Sequence, residues 1–120
     1  MKHVASYLLA LLFAGIRCTA GSAYTVGLSD GSNFSSGWRR MRQGASGNYL
    51  RYELYKATIS SDRWGGVGAQ RRSSVTADSN PSIHDGATAQ GYTYRAEVDP
   101  AQTTPPVGTY TDNVVVDVQF

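Results

Sequence analysis

The chain has 120 residues, 41% hydrophobic and 17% charged side chains, and a formal net charge of +2. That length admits one domain and no second core, and the apolar fraction excludes a disordered chain. So small a basic excess gives no reason to expect nucleic acid as a partner, and the single cysteine, Cys18, excludes a disulfide within the chain.

The N-terminus has the layout of an export signal. Met1-Lys2-His3 supplies a short positive region, and Val4 to Ile16 is apolar but well short of the ~20 residues a membrane span needs. Small residues follow, and cleavage after either Ala20 or Ala23 fits them. Arg17 before Cys18 excludes a lipoprotein site. Residues 1–20 are therefore expected to be a signal peptide, and residues 21–120 one secreted domain, with no membrane span.

Tyr24 to Leu28 alternates with period two, which predicts a strand with Tyr24, Val26 and Leu28 facing inward. "SDGSNFSSG" after it is a turn-rich loop. In "YLRYELY", Tyr49 to Tyr55, the inward residues are Leu50, Tyr52 and Leu54, while Arg51 and Glu53 face water and pair across strands. From Arg71 to Ala89 the pattern is weak, with Val75 and Ile83 as core candidates and short or irregular strands expected. Tyr92 to Val98 alternates again, with Tyr92, Tyr94, Ala96 and Val98 inward.

The prolines of "DPAQTTPPVG" keep that connector out of any central strand. Gly108 then turns the chain through a conformation that a β-carbon resists. Tyr110 packs at the edge of the fold, and Asp112 stands where the last strand begins. Val114, Val116, Val118 and Phe120 fall on one face of that strand, opposite Val115, Asp117 and Gln119. Strands recur between turns, and no long 3.6-residue period lies beyond the leader. The fold class is all-β, an antiparallel sandwich.

Chemistry is sparse. His84-Asp85 precedes Gly86 in a turn, and no serine carries the positional cue of a catalytic triad. One histidine outside the leader and scattered carboxylates make no metal site. "GGVG" at Gly65 to Gly68 lacks the Lys-Ser/Thr and helix of a phosphate loop. No enzyme activity, cofactor or metal is expected. Arg39, Arg40 and Arg42, with Arg71 and Arg72, offer a basic patch near aromatic rings. At this net charge the plainer expectation is that they lie on outer faces and in loops, paired with the nine acids.

Several stretches together resemble a known family. "CTAGSAYTVGLSDG" from Cys18, "RRM" from Arg39, "YLRYELY", Trp64-Gly65 and "PVGTYTDNVVVDVQF" from Pro106 are similar, in order and spacing, to the spore coat protein U domain. That family includes the pilin subunits of archaic, Csu-type chaperone-usher pathways. The residues carrying the pattern are Cys18, Tyr24, Leu28, Tyr52, Leu54, Gly108, Tyr110, Asp112, Val116 and Phe120. The resemblance implies an incomplete immunoglobulin-like sandwich. Its groove is filled by a periplasmic chaperone during assembly and by a neighbouring subunit's donor strand in a fibre.

Relative to the family the chain is short at the front, without the donor segment, the first strands and a cysteine to pair with Cys18. Either an export signal adjoins a shortened domain, or the start lies inside a longer gene. The resemblance implies a structural fibre or coat subunit that passes through the periplasm to the cell surface, and residues 1–20 are then either its signal peptide or a mis-assigned start. The alternative is a small secreted carbohydrate-binding module that uses Trp38, Trp64 and tyrosines as exposed stacking platforms.

Overall fold

A computed structural model describes residues 23–76 and 90–120. The described residues form six strands: β1 (Thr25–Leu28), β2 (Arg39–Arg42), β3 (Tyr49–Tyr55), β4 (Arg72–Ser73), β5 (Arg95–Val98) and β6 (Val116–Gln119), with two single 3-10 turns and no α-helix. They build two antiparallel three-stranded sheets, ordered β4-β1-β6 and β2-β3-β5. The expected all-β, immunoglobulin-like class is the observed one. Cys18, Ile83, His84 and Asp85, and the leader, lie outside the described residues.

Alternation explains the packing. Val26 and Leu28 of β1 and Leu50, Tyr52 and Leu54 of β3 turn inward, and with Tyr24, Met41, Trp64 and Tyr110 they form the core. Tyr92, Tyr94, Ala96, Val98, Val114, Val116 and Val118 pack half-buried against it. Trp64 ties the two sheets together: its backbone N–H donates to Leu54 O at 2.9 Å and its indole N–H to Val26 O at 3.0 Å. A buried indole thereby satisfies its one polar atom.

The structure departs from the sequence expectations at several places. Phe120 is 84% exposed, because the β1–β6 ladder ends at the Thr25↔Gln119 pair and, among the described residues, no strand lies opposite the next one. Val75 is exposed on a 3-10 turn. Strand β2 carries only one apolar residue, Met41, so its alternation was invisible to a hydrophobicity pattern. Glu53 and Arg39, expected to face water, are only 5% and 0% exposed. Each satisfies the other's charge. Trp64 is fully buried, which removes it as a stacking platform.

Candidate functional site

Among the described residues, strand β6 is the outer member of its sheet, with β1 on one side only. Ser29 N–H donates to Val115 O at 2.9 Å. Because pairs alternate along an antiparallel ladder, the backbone groups of Asp117 and Gln119 point at β1 and those of Val116 and Val118 point away. Among the described residues nothing meets the outward set. The side chains of Val116 and Val118 meanwhile lie half-buried against the core. Val115 and Phe120 flank them, exposed. Open backbone groups beside half-covered apolar side chains are what an added strand satisfies: main-chain hydrogen bonds supply affinity, and alternate side chains enter the core.

The outer strand β5 of the other sheet is arranged differently. Its half-buried Ala96 and Val98 alternate with Arg95 and Glu97, which form an ion pair with each other. Charges along an edge discourage further pairing. On β6 the one acid, Asp117, is turned back by Arg71.

That contact holds β6 on β1. Arg71 donates to Thr25 Oγ1 at 2.9 Å, Thr25 O at 3.1 Å, Gly66 O at 3.0 Å and Asp117 Oδ1 at 3.1 Å, and pairs with Asp117 Oδ2 at 2.9 Å. The guanidinium lies directly over Gly27, where a β-carbon would stand 2.1 Å from Arg71 Nη1. Glycine in the middle of this short strand is thus explained by close approach.

The lead-in to β6 is pinned to the other sheet. Arg42 and Thr111 exchange backbone hydrogen bonds at 2.8 and 3.0 Å. Tyr110 is buried and donates its hydroxyl to Pro106 O at 2.6 Å, the arrangement of a tyrosine corner. Asp112 accepts from Ser32 N–H at 2.8 Å, Asn33 Nδ2 at 3.3 Å and the Tyr52 hydroxyl at 2.5 Å. Gly108 does not have the positive φ that the turn argument implied. A β-carbon there would instead meet the Gln43 side-chain amide.

Between β2, β3 and the end of β1 runs a buried charge network. Arg39 donates to Glu53 Oε1 at 2.5 Å, to Ser29 O at 2.7 Å, to Trp64 O at 2.8 Å and to Leu28 O at 3.2 Å. Arg63 bridges Glu53 Oε2 at 2.9 Å and Asp30 Oδ1 at 2.7 Å. Burial lowers the pKa of Arg39 from its ordinary value, the nearby Arg63 charge adds to that, and Glu53 opposes both. Burial also opposes the charge on Arg63, but hydrogen bonds to Glu53 and Asp30 raise it overall. The sequence held one clue. Arg39 shares the inward parity of Met41 in β2 and stands opposite the buried Tyr52.

Of the residues singled out from the sequence, Tyr24, Leu28, Tyr52, Leu54 and Tyr110 are buried together, and Val116 lies at the core's margin. Tyr52 and Asp112 touch. Gly108 sits on the approach, and Phe120 projects away from the core. Among the described residues no cluster of His, Cys, Asp and Glu suits a metal ion, and no helix is long and apolar enough to cross a membrane.

The Spore Coat Protein U domain family matches residues 10–117. The crystal structure of the CsuC-CsuE chaperone-tip adhesion subunit pre-assembly complex, from archaic chaperone-usher Csu pili of Acinetobacter baumannii, contains a similar chain. The identity is 36% and the TM-score 0.67, with 88% of this chain and 32% of that chain covered. This chain therefore spans about a third of the length of the one it matches. No curated protein matches it.

Proposed function

The chain belongs to the spore coat protein U domain family, and on that premise we propose that it is a non-enzymatic structural subunit of a secreted surface fibre or coat, assembled by strand donation at the open edge of β6. A periplasmic chaperone supplies the added strand first, and a neighbouring subunit replaces it in the fibre. The observation that carries this reading is the pairing of outward backbone groups at Val116 and Val118 with side chains that are only half-covered. Completing each valine's burial adds up to about 1.5 kcal/mol, and the hydrogen bonds gained along the edge each add about 1 kcal/mol. Support for the partner class comes from the similar structure, whose own description is of a chaperone bound to a pilus subunit before assembly.

The test is to produce the chain alone, with a periplasmic chaperone of this pathway class, and with a peptide of alternating apolar residues. Hydrogen exchange is then measured at Val116 and Val118. Strong protection of these amides and a raised unfolding midpoint are expected only with chaperone or peptide. A monomer that melts cooperatively at high temperature, unchanged by either, overturns the proposal. Trp64, the first platform of the carbohydrate-module alternative, is fully buried, and Trp38 is half-buried beside Arg51.

A further inference from the structure

The outer face of the β2-β3 pair collects Arg40, Arg42 and Arg51, and only the last of these meets a carboxylate among the described residues. Arg40 and Arg51 are direct cross-strand partners, and Arg42 stands opposite Tyr49. Like charges set opposite each other on adjacent strands are destabilising. Arg51 has a carboxylate, Asp99, at 2.7 Å. Arg40 and Arg42 have none among the described residues. The neighbours of these two side chains instead hold them still. The Arg40 guanidinium lies 3.7 Å from the centre of the Tyr49 ring, and its Nε donates to Asn33 O at 2.7 Å. Arg42 lies 5.7 Å from the same ring, with Nε on Ser46 O at 2.6 Å and Nη2 on Ala45 O at 2.9 Å. Both Nη groups of Arg40, and Nη1 of Arg42, keep their donors unspent within the described chain.

A guanidinium anchored through Nε and a ring, with its terminal nitrogens free, is a pre-organised fork for a planar anion. The backbones of Arg40 and Arg42 are about 6.6 Å apart along β2, the separation of residues i and i+2 in a strand, and both guanidinium groups lie within 5.7 Å of the centre of one ring, Tyr49. We infer that this face binds an acidic polysaccharide through its repeated carboxylates. The occupant follows from charge and from what the face lacks. The Tyr49 ring is covered by arginine, so it offers no bare platform on which a nucleobase stacks. Trp38 beside Arg51 is half-buried, and no large apolar side chain of β2 or β3 stands exposed to centre a stable protein interface. A polymer that presents one carboxylate per sugar matches both the fork chemistry and the close spacing. The surface belongs to the β2-β3-β5 sheet, away from the β6 edge, and does not depend on strand donation.

The experiment uses the full chain, passed over immobilised polygalacturonate with its methyl ester, dextran sulfate and single-stranded DNA as comparisons. Binding to polygalacturonate and none to the neutral ester is expected, with loss of binding at roughly 0.5 M salt, where charges beyond a few ångströms are screened. Replacing Arg40→Gln and Arg42→Gln together is expected to weaken binding by about tenfold or more, as befits the loss of charge-assisted hydrogen bonds. If that variant does not fold, Arg40→Lys with Arg42→Lys keeps the charge and is still expected to bind several-fold more weakly. The inference is overturned by absence of polygalacturonate binding, by equal binding of the ester, by tighter binding of dextran sulfate or DNA, or by substitutions at both arginines that leave binding unchanged.

Discussion

Tyr52, in the centre of β3, donates its hydroxyl to a carboxylate oxygen of Asp112 at 2.5 Å, across 60 residues of sequence. The same carboxylate caps the loop after β1 through Ser32 N–H. One acid therefore joins the first strand's exit, the central strand of the opposite sheet and the approach to the last strand. Gly31 makes the contact possible. Its φ is +84°, a conformation that favours glycine, and a β-carbon there would stand 2.1 Å from Asp112 Oδ2.

The Tyr52 phenol titrates above its ordinary range, chiefly because it is buried and further because it donates to Asp112. A raised folded-state pKa holds its full stabilisation below the unfolded value, about 10, and loses it as the pH rises further. Above that pH the unfolded chain ionises first, and stability is expected to fall by about 1.4 kcal/mol per pH unit for this group. Tyr55 and Tyr94 are shifted in the same direction, each chiefly by burial, and add to the decline. Tyr52→Phe is expected to lower stability at neutral pH by about 1 to 2 kcal/mol and to give a shallower alkaline limb. Urea unfolding from pH 8 to 11 checks both, and parallel limbs for the two proteins would contradict the assignment.

Arg39→Leu is expected to destabilise the domain by about 3 to 5 kcal/mol, because it strips three backbone carbonyls of their donor and leaves Glu53 buried with Arg63 alone. Arg39→Leu combined with Glu53→Leu should recover part of that loss, since an apolar pair can replace a buried ion pair. Denaturant midpoints for the single and double variants decide the matter. A double variant worse than the sum of the two singles would refute the pairing.

Gly27→Ala is expected to dislodge Arg71 and loosen β6 from β1, at a net cost of about 1 to 2 kcal/mol once the gain from replacing a strand glycine is counted. The diagnostic is local: amide exchange at Asp117 and Gln119 should accelerate while Leu50 and Leu54 in β3 remain protected. Uniform acceleration everywhere would mean that Gly27 matters to the whole sandwich and not to this clamp.

Tyr110→Ala is expected to cost about 2 to 4 kcal/mol, since the ring is buried and its hydroxyl holds Pro106 O. Tyr110→Phe keeps the ring and should cost about 1 kcal/mol. Equal losses for the two would place the energy in the hydrogen bond instead of in packing.

Phe120→Ser should leave the unfolding midpoint within about 0.5 kcal/mol of the parent, because the ring is 84% exposed. The same change removes apolar surface beside the open edge and is expected to reduce self-association at high concentration, measured by sedimentation. A clear drop in stability would restore the inward placement that alternation alone suggested.

Local pattern determined the strands whose alternation is written in apolar residues. Val26 and Leu28, Leu50 to Leu54, and Val116 and Val118 declare their inner face because burial rewards every second residue and the period is two. The same pattern erred where charge is buried. Arg39 and Glu53 read as solvent-facing, since the rule that ions stay in water holds until a partner from another strand meets them. Only the tertiary fold brings that partner from residues 14 positions away and completes it with carbonyls of Leu28, Ser29 and Trp64. Phe120 shows the opposite limit. Periodicity says which face a residue would take if the sheet continued, but where the sheet stops is set by the neighbouring strand, and β1 pairs no further than Gln119. The open edge at β6 is likewise a property of strand order, which alternation does not encode, because a central and an edge strand can carry the same valines.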